Sequence, residues 1–315
     1  MALPADTLST YGSIGNREDL SDIIYEVAPT KTPFLSMLPR TTATSVKHEW
    51  QAHDLAAASA TNFVIEGDDA TTDAVSVTTR PINYTAISDK VARVTRTQEK
   101  VSKAGRRSEM AFQMETKMKE LKRDCESILL ENNAYVAGGT GVARESAGVQ
   151  AWVKTNTSIA ADATASTGDG SDAHTDGTAR ALTESMFEEV LSSCWTEGGE
   201  PTIAILNKFQ KRKVANFSGN TTRTMDGDMK KLTNTIDIYI DPLGNEIRMV
   251  PDQFVPADVI YFIDPEHVKF AVLDDFQSAD LAKTGDSDRK QIIVEATLEM
   301  CNEKAHGGIY DLSAS

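Results

Sequence analysis

Residues 108–133 read SEMAFQMETKMKELKRDCESILLENN. Apolar side chains at Ala111, Met114, Met118, Leu121, Cys125, Ile128 and Leu129 recur at intervals of three and four, which lays them in one stripe along a helix. Lys117, Lys119, Lys122, Arg123, Asp124 and Glu126 fall off that stripe and read as a charged outer face. Ser108 supplies an N-cap, and Gly138 with Gly139 supplies a stop, so the pattern predicts one helix over about 108–136. At 1.5 Å per residue it would be about 42 Å long, the span of a whole domain. A one-sided helix of that length, carrying no catalytic-looking residue, needs a structural reason.

Upstream, Asn16 and Asp19 form a capping box before Leu20, Ile23, Ile24 and Val27, so a short helix should end before Pro29. The three prolines of PTKTPFLSMLPR (29–40) then predict an extended apolar arm bearing Phe34, Leu35, Met37 and Leu38, of the kind that packs on another surface. From Ser45 the chain turns β-branched on both sides of a polar turn at 67–69, which reads as a long two-stranded excursion. An isolated hairpin is marginal in water, so such an arm needs a receiving surface.

Downstream, residues 156–180 are small and polar and read as a mobile surface insertion. Thr183–Glu197 follows as an amphipathic helix using Met186, Phe187, Val190, Leu191, Cys194 and Trp195. PTIAIL (201–206) is a buried strand, Asn207 caps a further helix, and strands dominate from TIDIYID to the long alternation KQIIVEATLEMC (290–301). The resulting class is α+β.

Composition narrows the function. A chain of 315 residues with a formal net charge of −15 opposes general attraction to phosphate backbones. No signal segment or membrane-length apolar run is present, which points to the cytosol. Cys125, Cys194 and Cys301 match no metal or redox spacing and read as small buried hydrophobes. HEWQAH (48–53) separates its histidines by five positions instead of the four that a helical zinc site requires. DAHTDG (172–177) imitates a calcium loop but has Thr183 where the bidentate Glu belongs, so it reads as solvated. TGDSDRK (284–290) lacks phosphate-loop spacing. No nucleophile and base pair stands out, so the expectation is a protein with no catalytic, cofactor-binding or metal residues. Charge is nevertheless segregated: Asp54 to Thr79 holds five acids and no base, whereas Gln98 to Arg123 holds eight bases against four acids. Opposite signs on a projecting arm and a helix suggest contact between chains.

The order of these parts resembles the major capsid proteins of tailed bacteriophages, which have the Hong Kong ninety-seven fold. The wording of NREDLSDIIYEVAPTKTPFLSML, VKHEWQAHDL, RPINYTAISDKVARVTRTQEKVSKAGRRSEMAFQ, MKELKRDCESILL and LAKTGDSDRKQIIVEATLEMCNEKAHGGIYDL is similar to one such subfamily, and these blocks span nearly the whole chain. The resemblance implies an N-arm over 1–44, an extended E-loop over 45–88, and a P-domain over 89–140 and 275–315 whose spine is the long helix. An A-domain over 141–274 would carry the mobile insertion. The spine would be a strut, its charged face meeting DNA or neighbouring subunits.

Function by the same resemblance is self-assembly into pentamers, hexamers and an icosahedral head around double-stranded DNA. Expected partners are a scaffolding protein, a portal and a decoration protein, with assembly in the host cytoplasm and no membrane. No scaffold-like helical extension precedes the N-arm, so the scaffold should be separate or already removed. Some members weld subunits through a Lys–Asn isopeptide bond, but no lysine lies between Lys47 and Lys90. The expected substitute is contact between the E-loop tip (Glu66, Asp68, Asp69, Asp73) and the basic segment Lys100, Lys103, Arg106 and Arg107, with an apolar contact through Phe63, Val64 and Ile65 as the rival. An encapsulin shell and an unrelated acidic hydrolase are the alternative functions.

Overall fold

The computed structural model describes residues 28–53, 55–69, 72, 75–217, 225–226, 231–232 and 237–314. In chain order its elements are α1 (Pro33–Met37), β1 (Arg40–Thr42), β2 (Lys47–Glu49), β3 (Ile82–Tyr84), β4 (Ala86–Thr95), α2 (Arg96–Lys100), α3 (Glu109–Leu130) and α4 (Val149–Trp152). There follow β5 (Thr157–Ser158), α5 (Glu184–Glu197), β6 (Ile203–Leu206), α6 (Lys208–Val214), β7 (Met225–Asp226) and β8 (Lys231–Leu232). The chain continues through β9 (Ile238–Ile240), β10 (Glu246–Pro251), β11 (Ile260–Ile263), β12 (Val268–Leu281), β13 (Ser287–Met300) and β14 (Gly307–Ile309). The helix expected before Pro29 lies outside the described residues.

Ser108 caps α3 as its sequence suggests, its hydroxyl accepting the Ala111 N–H at 3.2 Å. The carboxylate of Glu99 adds a second cap, accepting the N–H groups of Glu109 and Met110. At the other end α3 stops at Leu130, well before Gly138, so its 22 residues give about 33 Å instead of 42 Å. Side chains from elsewhere take the last carbonyls: Asn133 Nδ2 donates to Ile128 O and Tyr261 Oη to Leu130 O. Gly148 then packs on the terminus so closely that a Cβ there would lie 2.0 Å from Glu131 O. Periodicity within the helix could not reveal partners so distant in sequence.

Two sheets organise the fold. The first runs β1-β12-β13-β4, and α3 lies across β4 and β13. The second runs β5-β14-β11-β6-β10-β9, covered by α5 over β5 and β14 and by α6 beside β10. One apolar core joins the two: Leu121, Leu129, Ile292 and Leu298 of the first pack with Trp152, Ile205 and Tyr261 of the second. A smaller core around Phe187, Phe262 and Ile247 lies beneath α5. The sheet boundary differs from the expected domain division. β12 enters the first sheet at Val268, and after β13 the chain crosses back so that β14 pairs with β11 and β5.

Three further expectations are corrected. Residues 33–37 form a short helix where an extended arm was expected, because Pro33 suits the first helical position and Glu126 accepts the next two N–H groups. Phe34 and Leu38 are buried in the chain's own core, with Leu35 and Met37 packed against it, so the arm's apolar residues are already covered here. Residues 156–180 are not merely a solvated insertion. β5 joins the second sheet, Thr164 pairs with Thr175, and Ser166 and His174 are buried. Carboxylates supply what apolar residues could not: Asp162 accepts the N–H and hydroxyl of Thr178, while Asp311 accepts the N–H groups of Ala160 and Gly177. Finally, Trp195 of α5 is 56 % exposed and does not share the buried stripe of Phe187, Val190, Leu191 and Cys194.

Candidate assembly surfaces

Among the described residues, the excursion between β2 and β3 is paired at its base. Lys47, His48 and Glu49 face Tyr84, Asn83 and Ile82, and one bridge joins Ala52 to Thr79. Beyond it, Leu55, Phe63, Val64, Ile65, Val75 and Val77 are each 78–91 % exposed. Six large apolar side chains on one loop form a surface of the kind that marks an interaction site. Its tip turns at Gly67, whose φ of 87° suits glycine, and the Asp68 N–H donates to Ile65 O at 3.1 Å. Glu66, Asp68 and Asp69 are exposed around that turn. Asp73 lies outside the described residues.

The base of this loop is held firmly. Asn83 is fully buried: Nδ2 donates to Leu298 O at 2.8 Å, and Oδ1 accepts the N–H groups of Ala147 and Tyr84. His48 Nε2 lies 2.8 Å from Glu299 Oε2, and that hydrogen bond holds the Glu299 carboxyl below its ordinary range. His53 instead meets Ser76, so the two histidines of HEWQAH serve different partners.

The basic segment is partly consumed within the chain. Lys103 Nζ donates to Glu99 O at 2.9 Å, and its side chain is almost fully buried. Arg106 pairs with Glu109 and rests over the Phe112 ring. Lys100 and Arg107 are the exposed members of the four. Much of the outer face of α3 is similarly paired, Lys117 with Glu120, Lys119 with Glu115 and Asp124 with Lys90, while Lys122 stays exposed.

Sequence reasoning overlooked one further surface. A glycine-rich hairpin closes through Val136–Glu145 and Gly139–Val142 bridges and flanks an open groove of ≈ 440 Å³ lined by Ile87, Ala137, Gly138, Val142 and Arg144. Ile87 and Val142 are exposed there, and Val91 is exposed further along β4. Its only signal in the sequence was the run AGGTG (137–141).

The 172–177 loop is less solvated than its composition implies. His174 Nε2 lies 3.3 Å from Asp311 Oδ1 and 3.9 Å from Asp176 Oδ1, and the ligand atoms of the three lie within 4.8 Å of one another. Both Asp311 oxygens already accept backbone N–H groups, so the cluster's evident work is tethering this loop to the C-terminal strand.

The comparisons agree with this architecture. The family model described as SU10 major capsid protein matches residues 7–313. The major capsid protein of Escherichia phage Phieco32 is 24 % identical over 337 residues, covering 96 % of each chain. The capsid asymmetric unit of cyanophage A-1(L) superposes with a TM-score of 0.68 at 14 % identity, covering 96 % of this chain and 98 % of that one. The holo-SrpI encapsulin complex of Synechococcus elongatus PCC 7942 gives 0.56 at 11 % identity, covering 95 % and 93 %, a likeness of fold alone. With a strut helix laid across one sheet, a projecting loop of exposed apolar residues and a family match spanning nearly its full length, the chain belongs to the SU10 major capsid protein family of phage shell proteins.

Proposed function

We propose that the chain builds its icosahedral head by laying the E-loop of each subunit over the first sheet of the next, around pentamer and hexamer axes. Repetition of one heterologous contact about an axis closes a ring. The observation that carries this reading is the set of six exposed apolar residues on the E-loop, which find no partner in their own chain among the described residues. The receiving surface is the groove lined by Ile87, Val142 and Arg144, with the exposed charges of Lys100 and Arg107 setting register against Glu66, Asp68 and Asp69. Exposed ion pairs contribute about 0.2–1 kcal/mol each, so apolar burial at about 25 cal/mol per Å² dominates the contact.

Assembly takes place in the host cytoplasm on a separate scaffolding protein and a portal, with a decoration protein added outside. The head encloses double-stranded DNA without sequence-specific binding. A net charge of −15 and a largely self-paired helix face suit an inner wall from which packed DNA can slide.

Replacing Phe63, Val64 and Ile65 together with serine tests the contact. The variant should keep the wild-type melting temperature as a free subunit and yet form no closed shells by sedimentation and negative-stain microscopy with the scaffold present. Normal shells would overturn the apolar contact. Asp68→Lys with Asp69→Lys should weaken assembly more modestly, and adding Lys100→Glu with Arg107→Glu should restore part of it. Without that rescue the charged tip is only solvated.

A further inference from the structure

We propose that Glu126 and Asp252 share a single proton and together form a pH-dependent latch holding the segment that leads out of the N-terminal region against both sheets. Three parts of the fold meet at this point. Glu126, near the C-terminal end of α3, is fully buried despite lying off the helix's apolar stripe. Its Oε1 accepts the Phe34 N–H at 2.7 Å and its Oε2 the Leu35 N–H at 2.6 Å, so it caps α1 from another helix. Asp252, immediately after β10, is also buried; its own N–H donates to Leu206 O, and its Oδ1 accepts the Phe254 N–H.

Asp252 Oδ2 is then a buried oxygen with no hydrogen-bond donor. The group it meets is the Glu126 carboxyl. Two facing carboxylates would leave that oxygen orphaned and place like charges together out of water. One proton between them satisfies Oδ2 and removes a charge, and it leaves Glu126 free to accept both N–H groups.

On α3 the basic neighbours Lys122 and Arg123, four and three residues before Glu126, form no ion pair with it among the described residues. α1 brings only backbone N–H groups, since PFLSM has no ionisable side chain. On α3 the neighbouring Cys125 thiol is pushed up to about 12 by burial and by the charges of Asp124 and Glu126, so it stays protonated. Among the described residues no lysine or arginine pairs with either carboxyl. Burial, followed by Asp252, accordingly raises the Glu126 pKa well above the ordinary carboxylate range.

The sign follows from linkage. An acid whose folded pKa is raised contributes most below its unfolded value near 4.3, and the contribution is lost as pH climbs toward the folded value. The latch is therefore tight in acid and loosens toward neutral and mildly alkaline pH. Its opening frees α1 and hence the anchorage of the N-arm. This behaviour is a property of the single chain and does not depend on how the E-loop docks.

Hydrogen exchange of residues 33–38 in the full-length chain, corrected for intrinsic rates, reads the latch directly through the Phe34 and Leu35 amides. Asp252→Asn places a permanent N–H donor where the proton sits, and Glu126→Gln does so from the other side at the cost of one acceptor. In the wild type, opening of this segment should grow by up to about tenfold per pH unit from about pH 5, relative to Asp252→Asn. Both variants should be flat. Parallel profiles for wild type and variants overturn the shared proton. If one variant fails to fold, the other carries the comparison, and a flat wild-type profile overturns the latch unaided.

Discussion

Asn83 shows how much of this fold hangs on single buried polar groups. Its amide binds the loop base, the chain before α4 and the strand β13 at once, with no exposed surface. Asn83→Leu keeps the volume but strands Leu298 O and the Ala147 and Tyr84 N–H groups, so it should cost about 2–4 kcal/mol, read as a lower denaturation midpoint. A change under about 0.5 kcal/mol would mean that water replaces the amide. His306 makes the complementary acid-side prediction. It is fully buried, with Nδ1 accepting the Asp264 N–H and Nε2–H donating to His267 O, which fixes it as the neutral ring. Burial lowers its pKa to about 4. A depressed histidine gives its full contribution above the unfolded value near 6.5, and stability falls as pH drops toward the folded value, by about 1.4 kcal/mol per unit. The His306 ring resonances should accordingly stay flat from pH 8 to about pH 5; a midpoint near 6.5 would show that the ring is hydrated. Glu126 opposes this trend: between about pH 4.3 and 6.5 the two slopes largely cancel, and above that range only the loss from Glu126 remains.

At the scale of elements, the spine helix α3 begins under a double cap, and the two caps should be separable. Ser108→Ala removes one acceptor and should cost about 1 kcal/mol, whereas Glu99→Ala frees two N–H groups and also removes the carboxylate 3.7 Å from Lys103, so its cost in the melting temperature should be larger. A Glu99→Ala variant that melts like the wild type would assign the cap to Ser108 alone. Ser108 was legible in the sequence because caps are local, and so was Asn207, which caps α6 as its position suggests. Most of the apolar stripe of α3 was legible for the same reason, although Ala111 is exposed and the buried Met110 and Leu130 fell outside it. Glu99 was not, because it reaches the helix across a turn, and neither was the stop at Leu130, which depends on Tyr261. The same limit hid Glu126: an acid off the stripe reads as solvated unless the distant segment that it caps is known. Composition misled most over residues 156–180, where small polar residues are fixed by Asp162 and Asp311 through hydrogen bonds to backbone. Exposed charges on the basic segment were visible as a run, but which of the four remain exposed was decided by Glu99 and Glu109.

Across the whole molecule, the question is what can lock one subunit to another once the shell has closed. Lysine-based welding from the E-loop is closed off by sequence, since no lysine occurs between Lys47 and Lys90. Disulfide exchange requires a thiolate within reach of solvent. Cys125 and Cys194 are buried and their thiols are pushed up to about 12, chiefly by burial, while half-buried Cys301 is raised for the same reason. All three therefore remain thiols near neutral pH and are poor attacking groups. The proposed lock is apolar burial of the exposed residues of the loop between β2 and β3, repeated at every subunit, with a few exposed charges to set register. Mature shells boiled in detergent without reductant should accordingly release a single band near 34.2 kDa. A ladder that collapses on reduction would place a thiol at an interface and contradict the burial of the cysteines, and one that survives reduction would reveal a weld from outside the E-loop. Because the hydrophobic contribution weakens on cooling whereas surface charge is screened by salt, intact shells should loosen more on chilling than on raising ionic strength. The opposite ranking, measured by light scattering, would shift the dominant contact from Phe63, Val64 and Ile65 to the acidic tip.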